Sequence, residues 1–136
     1  RYHFRVMKTL FLGILFLVGL IFPPPSYASH VELKPCLEIK HCARAEWDVK
    51  ELNKPLKEVQ TILENIPRTE IVEIDGDYIH AEVTSKMMRF VDDLEVSYSP
   101  DTDKLVIRSE SREGIGDLGV NQKRVDLIKT QLLFSY

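Results

Sequence analysis

Cysteine is scarce in this chain of 136 residues, with only two, so a multi-disulfide scaffold is excluded. Tryptophan occurs once. Excess positive charge is missing too. The 18 Lys and Arg stand against 21 Asp and Glu, a net charge of −3, which removes nucleic acid as a default partner. No apolar run reaches the roughly 20 residues that a membrane-spanning helix needs. There is no internal repeat, no low-complexity tract and no serine on a nucleophile elbow. What is present is a balance of 44% hydrophobic and 29% charged residues, ordinary for a folded domain. The length suits one domain.

The first 28 residues read as a targeting segment rather than as part of the fold. Met7-Lys8 is the better start, because it puts a positive charge directly before the apolar run Leu10 to Phe22. A run this short fits a signal-peptide core. Pro23-Pro24-Pro25 ends any helix, and Ser26-Tyr27-Ala28 places small residues where a signal peptidase reads them. Cleavage is expected after Ala28, leaving a domain over 29–136. That removes three cations and no carboxylate, so the remaining 108 residues carry a charge of −6. The expected location is an exported one: periplasm, thylakoid lumen or extracellular space. Membrane contact is expected only through this segment, if it stays uncleaved.

Residues 29–48 show no clear period and read as an extended arm holding both cysteines. Asn53 to Ile66 reads as a helix, with Asn53 as cap, Pro55 in the first turn and one apolar stripe of Leu56, Val59, Ile62, Leu63 and Ile66. Four strands follow. Thr69 to Ile74 alternates, Asp75-Gly76 marks a hairpin turn, and Tyr78 to Thr84 is the second strand. Phe90 to Tyr98 and Leu105 to Ser111 are the third and fourth, joined by the turn Pro100 to Asp103. Asn121 to Phe134 reads as a second helix, with Val125, Ile128 and Leu132 as its stripe and Leu127 beside it. The expected fold class is α+β: a four-stranded antiparallel sheet with two helices packed on one face, after the arm.

Several constellations could carry chemistry. Cys36 and Cys42, in an oxidising compartment, would close a seven-residue disulfide loop. The alternative is a metal site using both, with His41 and His30 or His80, although sequence neighbours such as His41 and Cys42 point apart in an extended chain. Gly114 to Gly119 matches G-x-G-x-x-G between a strand and a helix. Too little chain follows for a second parallel strand and a ribose-binding acid, so a nucleotide fold is rejected. A glycine loop at a helix start, with Arg112, Lys123 and Arg124 near in sequence, could still hold a small anion. The competing reading is a tight turn capped by Asp117 or Asn121, with Arg124 paired to an acid.

The strand faces are unusually charged. The second strand offers His80 and Glu82, the third Asp92, Asp93 and Glu95, and the fourth Arg108, with Arg112 just beyond. Cross-strand ion pairs are expected. If the helices cover the apolar face, these groups lie on the other, either as a solvated surface or as a polar groove with His80 and Glu82 or Asp93 in acid–base roles. Trp47 reads as an anchor against the core.

The segments Tyr78-Ile79-His80-Ala81-Glu82, Phe90 to Glu95, Arg108 to Gly114 and Asp117 to Arg124 resemble, in order and spacing, the domain-of-unknown-function-1499 family. The likeness runs from about Pro35 to Leu133 and includes an N-terminal cysteine pair. The segment Leu37 to His41 departs from the Pro/Ser/Asn-rich loop usual there. The resemblance implies a fold and a set of characteristic polar residues, not a reaction. It also implies exported proteins of bacteria and photosynthetic lineages. The resulting expectation is a non-catalytic exported binding or assembly protein acting through its polar sheet face, on a protein or a small anionic ligand. The rival is a hydrolase-like enzyme using His80, Glu82, Asp93 and Arg108. No cofactor or resident metal is implied.

Overall fold

A computed structural model describes residues 30–114 and 116–134. The expected signal segment and its cleavage point lie outside the described residues. The elements run β1 (Cys42–Asp48), α1 (Pro55–Asn65), β2 (Thr69–Asp75), β3 (Tyr78–Thr84), β4 (Val91–Ser99), β5 (Lys104–Ser111) and α2 (Val120–Leu133). One antiparallel sheet of order β1-β5-β4-β3-β2 results.

The sheet has five strands where the sequence reading expected four. The extra strand, β1, comes from the second half of the supposed arm. Its core-facing positions are Ala43, Ala45 and Trp47. Two alanines are too weakly apolar to print a clear period-2 stripe, which is why the alternation with Arg44, Glu46 and Asp48 was missed. Pairing with β5 supplies what the side chains do not announce: Ala43 faces Ser109, Ala45 faces Ile107 and Trp47 faces Leu105.

Both helices pack on the same side of this sheet. In α1, Val59 and Leu63 lie one turn apart and are fully buried, with Leu56, Ile62 and Ile66 packed at the flanks. Pro55 occupies the first turn, where its missing N–H does no harm. Asn53 is not the cap: Lys54 holds that position and no side chain caps it. Ile66, before Pro67, is extended, as the proline ring requires. In α2 the buried stripe is Asn121, Arg124, Val125, Ile128 and Leu132. Leu127, beside that stripe, is exposed. The polar residues at the first two inward positions blur the apolar period of this helix.

The core is completed by Ile79, Ala81 and Val83 of β3, Leu94 and Val96 of β4, and Leu105 and Ile107 of β5. Asp92 shares their side of the sheet. It is opposite Val83 and Ser111 and two residues from Leu94, and alternation leaves it no other. The expectation that grouped it with Asp93 and Glu95 is therefore corrected. Trp47 anchors on the core as expected, 6% exposed.

Candidate functional site

The opposite side of the sheet is polar, and cross-strand register explains which groups meet. Glu82 faces Asp93, His80 faces Glu95, and Glu95 faces Arg108. Two ion-pair sets form on this ladder. In the first, His80 Nε2 lies 2.8 Å from Asp93 Oδ1. Arg112, just past the end of β5, donates to Asp93 Oδ2 from Nε at 2.9 Å and to Oδ1 from a terminal nitrogen at 2.8 Å. The same nitrogen reaches Glu82. In the second set, Arg108 donates to Glu95 at 3.1 Å and to Glu110, while the Tyr78 hydroxyl donates to the other oxygen of Glu95 at 2.9 Å. Arg112 thus pairs with Glu82 and Asp93, and Arg108 with Glu95, as expected; Glu110 is an additional partner of Arg108.

These pairs set the titration of the face. Hydrogen bonds from Arg112, and then the contact with His80, hold Asp93 below the usual carboxylate range against the opposing effect of burial. Asp93 and Glu82 in turn stabilise the Arg112 cation. Burial, and then the hydrogen bond to Glu95, push the Tyr78 phenol well above its ordinary value.

Part of this face is roofed. Ser97 of β4 donates to the Val31 carbonyl at 2.6 Å and lies 3.2 Å from His30 Nδ1. Cys36 is disulfide-bonded to Cys42 on β1. Since β5 lies between β4 and β1, the segment from Val31 to Cys36 crosses over β5. This accounts for the burial of Leu33, Val106 and Arg108. The disulfide was expected, and it takes both cysteines out of the alternative metal set. His41 instead sits 3.8 Å from both Glu38 and Glu110. The open part of the polar face is therefore β2, β3 and the adjoining edge of β4.

The remaining candidates gather on the helix side. Arg124 donates to Asp92 at 2.8 Å, to Ser109 at 2.8 Å and to the Asn121 side-chain oxygen at 2.7 Å. Asn121 donates to Ser111, to the His41 carbonyl and to Asp117. Ser111 donates to Asp92 at 2.6 Å. Asp117 accepts from the backbone N–H groups of Gly119 and Asn121 at 2.8 and 3.0 Å. Burial would raise the Asp117 pKa, but these N–H groups and the Asn121 amide outweigh it and hold it low. The glycine loop is thus a capped turn, with Gly119 at a φ of 78° that favours glycine. Asp117 thus takes the N–H groups of Gly119, Val120 and Asn121 at the helix start, where an anion would otherwise sit.

The sequence reading puts Tyr78 on the face of His80 and Glu82 without giving it a role, and it misses Glu110 on that face and Ser109 and Ser111 in the buried network. Glu110 was findable, since period 2 puts it on the same face as Arg108. The serines gave no signal until Arg124 and Asn121 were known to point inward.

A family model matches residues 24–132. The chain belongs to the DUF1499 family of proteins of unknown function. No curated protein matches the sequence. Within this DUF1499 chain the polar candidates divide between two sides of the sheet: Asp92, Asn121 and Arg124 under α2 with Asp117 at its start, and His80, Glu82, Asp93, Glu95, Arg108 and Arg112 on the other.

Proposed function

We propose that this DUF1499 protein is an exported, non-catalytic binding or assembly protein whose open polar sheet face recognises a basic surface of a partner protein. The observation that carries this reading is how the charged groups spread. His80, Glu82, Asp93 and Arg108 do not converge on one point. Arg108 belongs to the Glu95 and Glu110 set beneath the arm, whereas His80 belongs to the Asp93 and Arg112 set. Each already has a side-chain partner on the sheet. A general base needs a reactant within hydrogen-bond reach; His80 binds Asp93 through Nε2, so a base here would have to act from the other ring nitrogen.

The open half of the face is acidic. Glu70, Glu73 and Asp75 of the edge strand β2 continue the row of Glu82 and Asp93, and all three are exposed. Such a surface steers a cationic partner. An anionic ligand is the poorer fit, because Arg108, Arg112 and Arg124 are all held by carboxylates. The disulfide supports an oxidising compartment, in keeping with export.

The test is cross-linking and co-purification from the producing cell with the unaltered chain and with Glu70→Lys/Glu73→Lys. The expected result is a defined partner with a basic surface, lost in the charge-reversed variant at an unchanged melting temperature. A hydrolytic turnover abolished by His80→Asn would put the enzymatic reading in its place.

A further inference from the structure

The strand directions bring four loops to one end of the molecule: residues 36–41 inside the disulfide loop, 66–68 before β2, 85–90 between β3 and β4, and 112–114 with 116–119 before α2. Three of these loops present large apolar side chains to solvent. Leu37 and Ile39 are 90% and 89% exposed, Met87 and Met88 87% and 67%, and Leu118 93%, with Val120 beside it. They form one surface. Met87, Met88, Leu118 and Val120 line the same open cleft of about 420 Å³, and Ile39 lines a neighbouring one with Asp117 and Gly119. A hydrogen bond from Asp117 N to the Lys40 carbonyl ties the disulfide loop to the glycine loop. Leu118 holds its exposed position at a φ of 54°, a left-handed backbone that is disfavoured for leucine.

Charge separates this end from the other. The four loops here carry Lys40, Arg68, Lys86 and Arg89 against Glu38, Glu113 and Asp117, with Arg112 held by Glu82 and Asp93. The opposite loops, 49–54, 76–77 and 100–103, carry Glu51, Asp77, Asp101 and Asp103 against Lys50 and Lys54. Lys40, Lys86 and Arg89 have no carboxylate partner among the described residues. An acidic protein thus has one end that is both apolar and cationic. The protruding side chains are aliphatic and thioether groups, apolar to their tips. Apolar tips flanked by Lys and Arg are what an anionic membrane surface attracts and admits.

We propose that this end docks on an anionic lipid bilayer, with Met87, Met88 and Leu118 entering the interface and Lys86 and Arg89 facing the headgroups. The polar sheet face then stands clear of the membrane for a protein partner. The docking stands independently of that partner reading.

The test uses the full chain, so that contact through the N-terminal apolar run must be told apart. An environment-sensitive fluorophore is attached at Met88→Cys or, as a control, at Asp101→Cys at the opposite end; the native cysteines are bonded to each other. Vesicles of phosphatidylcholine with 30% phosphatidylserine carry a nitroxide quencher in the acyl region. The expected result is strong quenching at position 88 and little at 101. Adding Lys86→Glu/Arg89→Glu should weaken the response about tenfold, as should replacing the vesicles by pure phosphatidylcholine. Anchoring by the N-terminal run alone leaves both labels in water and overturns the proposal. So does equal response on neutral vesicles, or sedimentation showing that Met87→Asp/Leu118→Asp merely abolishes self-association of the chain.

Discussion

Arg124 and Arg112 each hold an aspartate of the same strand at 2.8 Å, Asp92 and Asp93, yet the two pairs lie on opposite sides of the sheet. Consecutive residues of β4 point to opposite faces, so one carboxylate is sealed under α2 and its neighbour opens towards solvent. Around Arg124 the side chains of Asp92, Ser109 and Asn121 are almost wholly buried, and each has a partner. The Arg112 side chain is 45% exposed. The same chemistry therefore fixes a helix in one layer and remains available to a partner in the other. A strand rich in polar residues does not by itself mark a site; burial separates the residues that hold the fold from those that can act.

The comparison is broken most severely at Arg124. Arg124→Ala leaves Asp92 buried without its cation, together with Ser109 and Asn121 short of a donor. A loss on the order of 3–5 kcal/mol is expected, read as a fall in the chemical-denaturation midpoint. Arg124→Lys supplies charge without the planar fork that reaches three acceptors, so it should recover only part of the loss. A loss below about 1 kcal/mol for Arg124→Ala would show that water replaces the guanidinium and that the layer is not sealed.

Next in size is the disulfide. Closing a loop of seven residues is worth about 2.4 kcal/mol by chain entropy. The bond also pins the arm across β5, so Cys36→Ser/Cys42→Ser should lower stability and raise hydrogen exchange in Val31 to Cys36. Unchanged exchange there would mean that the hydrogen bonds at Ser97 hold the arm without help.

Arg108 tests the boundary between the layers, since it is 8% exposed but its acids are only half-buried. Its Nε has no hydrogen-bond partner among the described residues, which subtracts from what its two ion pairs contribute. Arg108→Met keeps the packing beneath the arm and should cost about 2 kcal/mol, the scale of hydrogen bonds to charged groups. A cost as large as that of Arg124→Ala would place the arm-covered region with the sealed layer.

How much of this was legible in the sequence follows from the same division. Strands β2 to β5, both helices and their shared side were readable because Ile, Val and Leu repeat at the right period and Asp75-Gly76 and Pro100 to Asp103 mark turns. The edge strand β1 was not, because alanine carries its inward positions. Pairings on the open face follow from charge and period 2. Asp92 was misplaced because a carboxylate in a strand reads as solvent-facing unless a buried arginine elsewhere answers it. Arg124 lies 32 residues away, on a helix whose period it obscures. The arm crossing β5 is a matter of tertiary path, which periodicity does not encode.

The smallest effect sharpens the comparison most cleanly. Arg112→Ala should leave the melting temperature near that of the unaltered chain, because the side chain is largely exposed and salt screens its attractions. Its signature lies in titration instead. Asp93 has a folded-state pKa depressed first by Arg112 and then by His80. A depressed carboxyl stabilises the fold above its unfolded value and loses that contribution as pH falls through the folded one. Removing Arg112 should therefore move Asp93 protonation upward, towards the ordinary carboxylate range, and shift its loss of stabilisation to higher pH. His80→Ala should produce a smaller upward shift. The carboxyl carbon chemical shift of Asp93 across an acid titration reads both. A double variant with Arg124→Lys should titrate at Asp93 just as Arg112→Ala does, since the sheet separates the two arginines. An Asp93 midpoint that also responds to Arg124→Lys would mean that the two layers are electrostatically one.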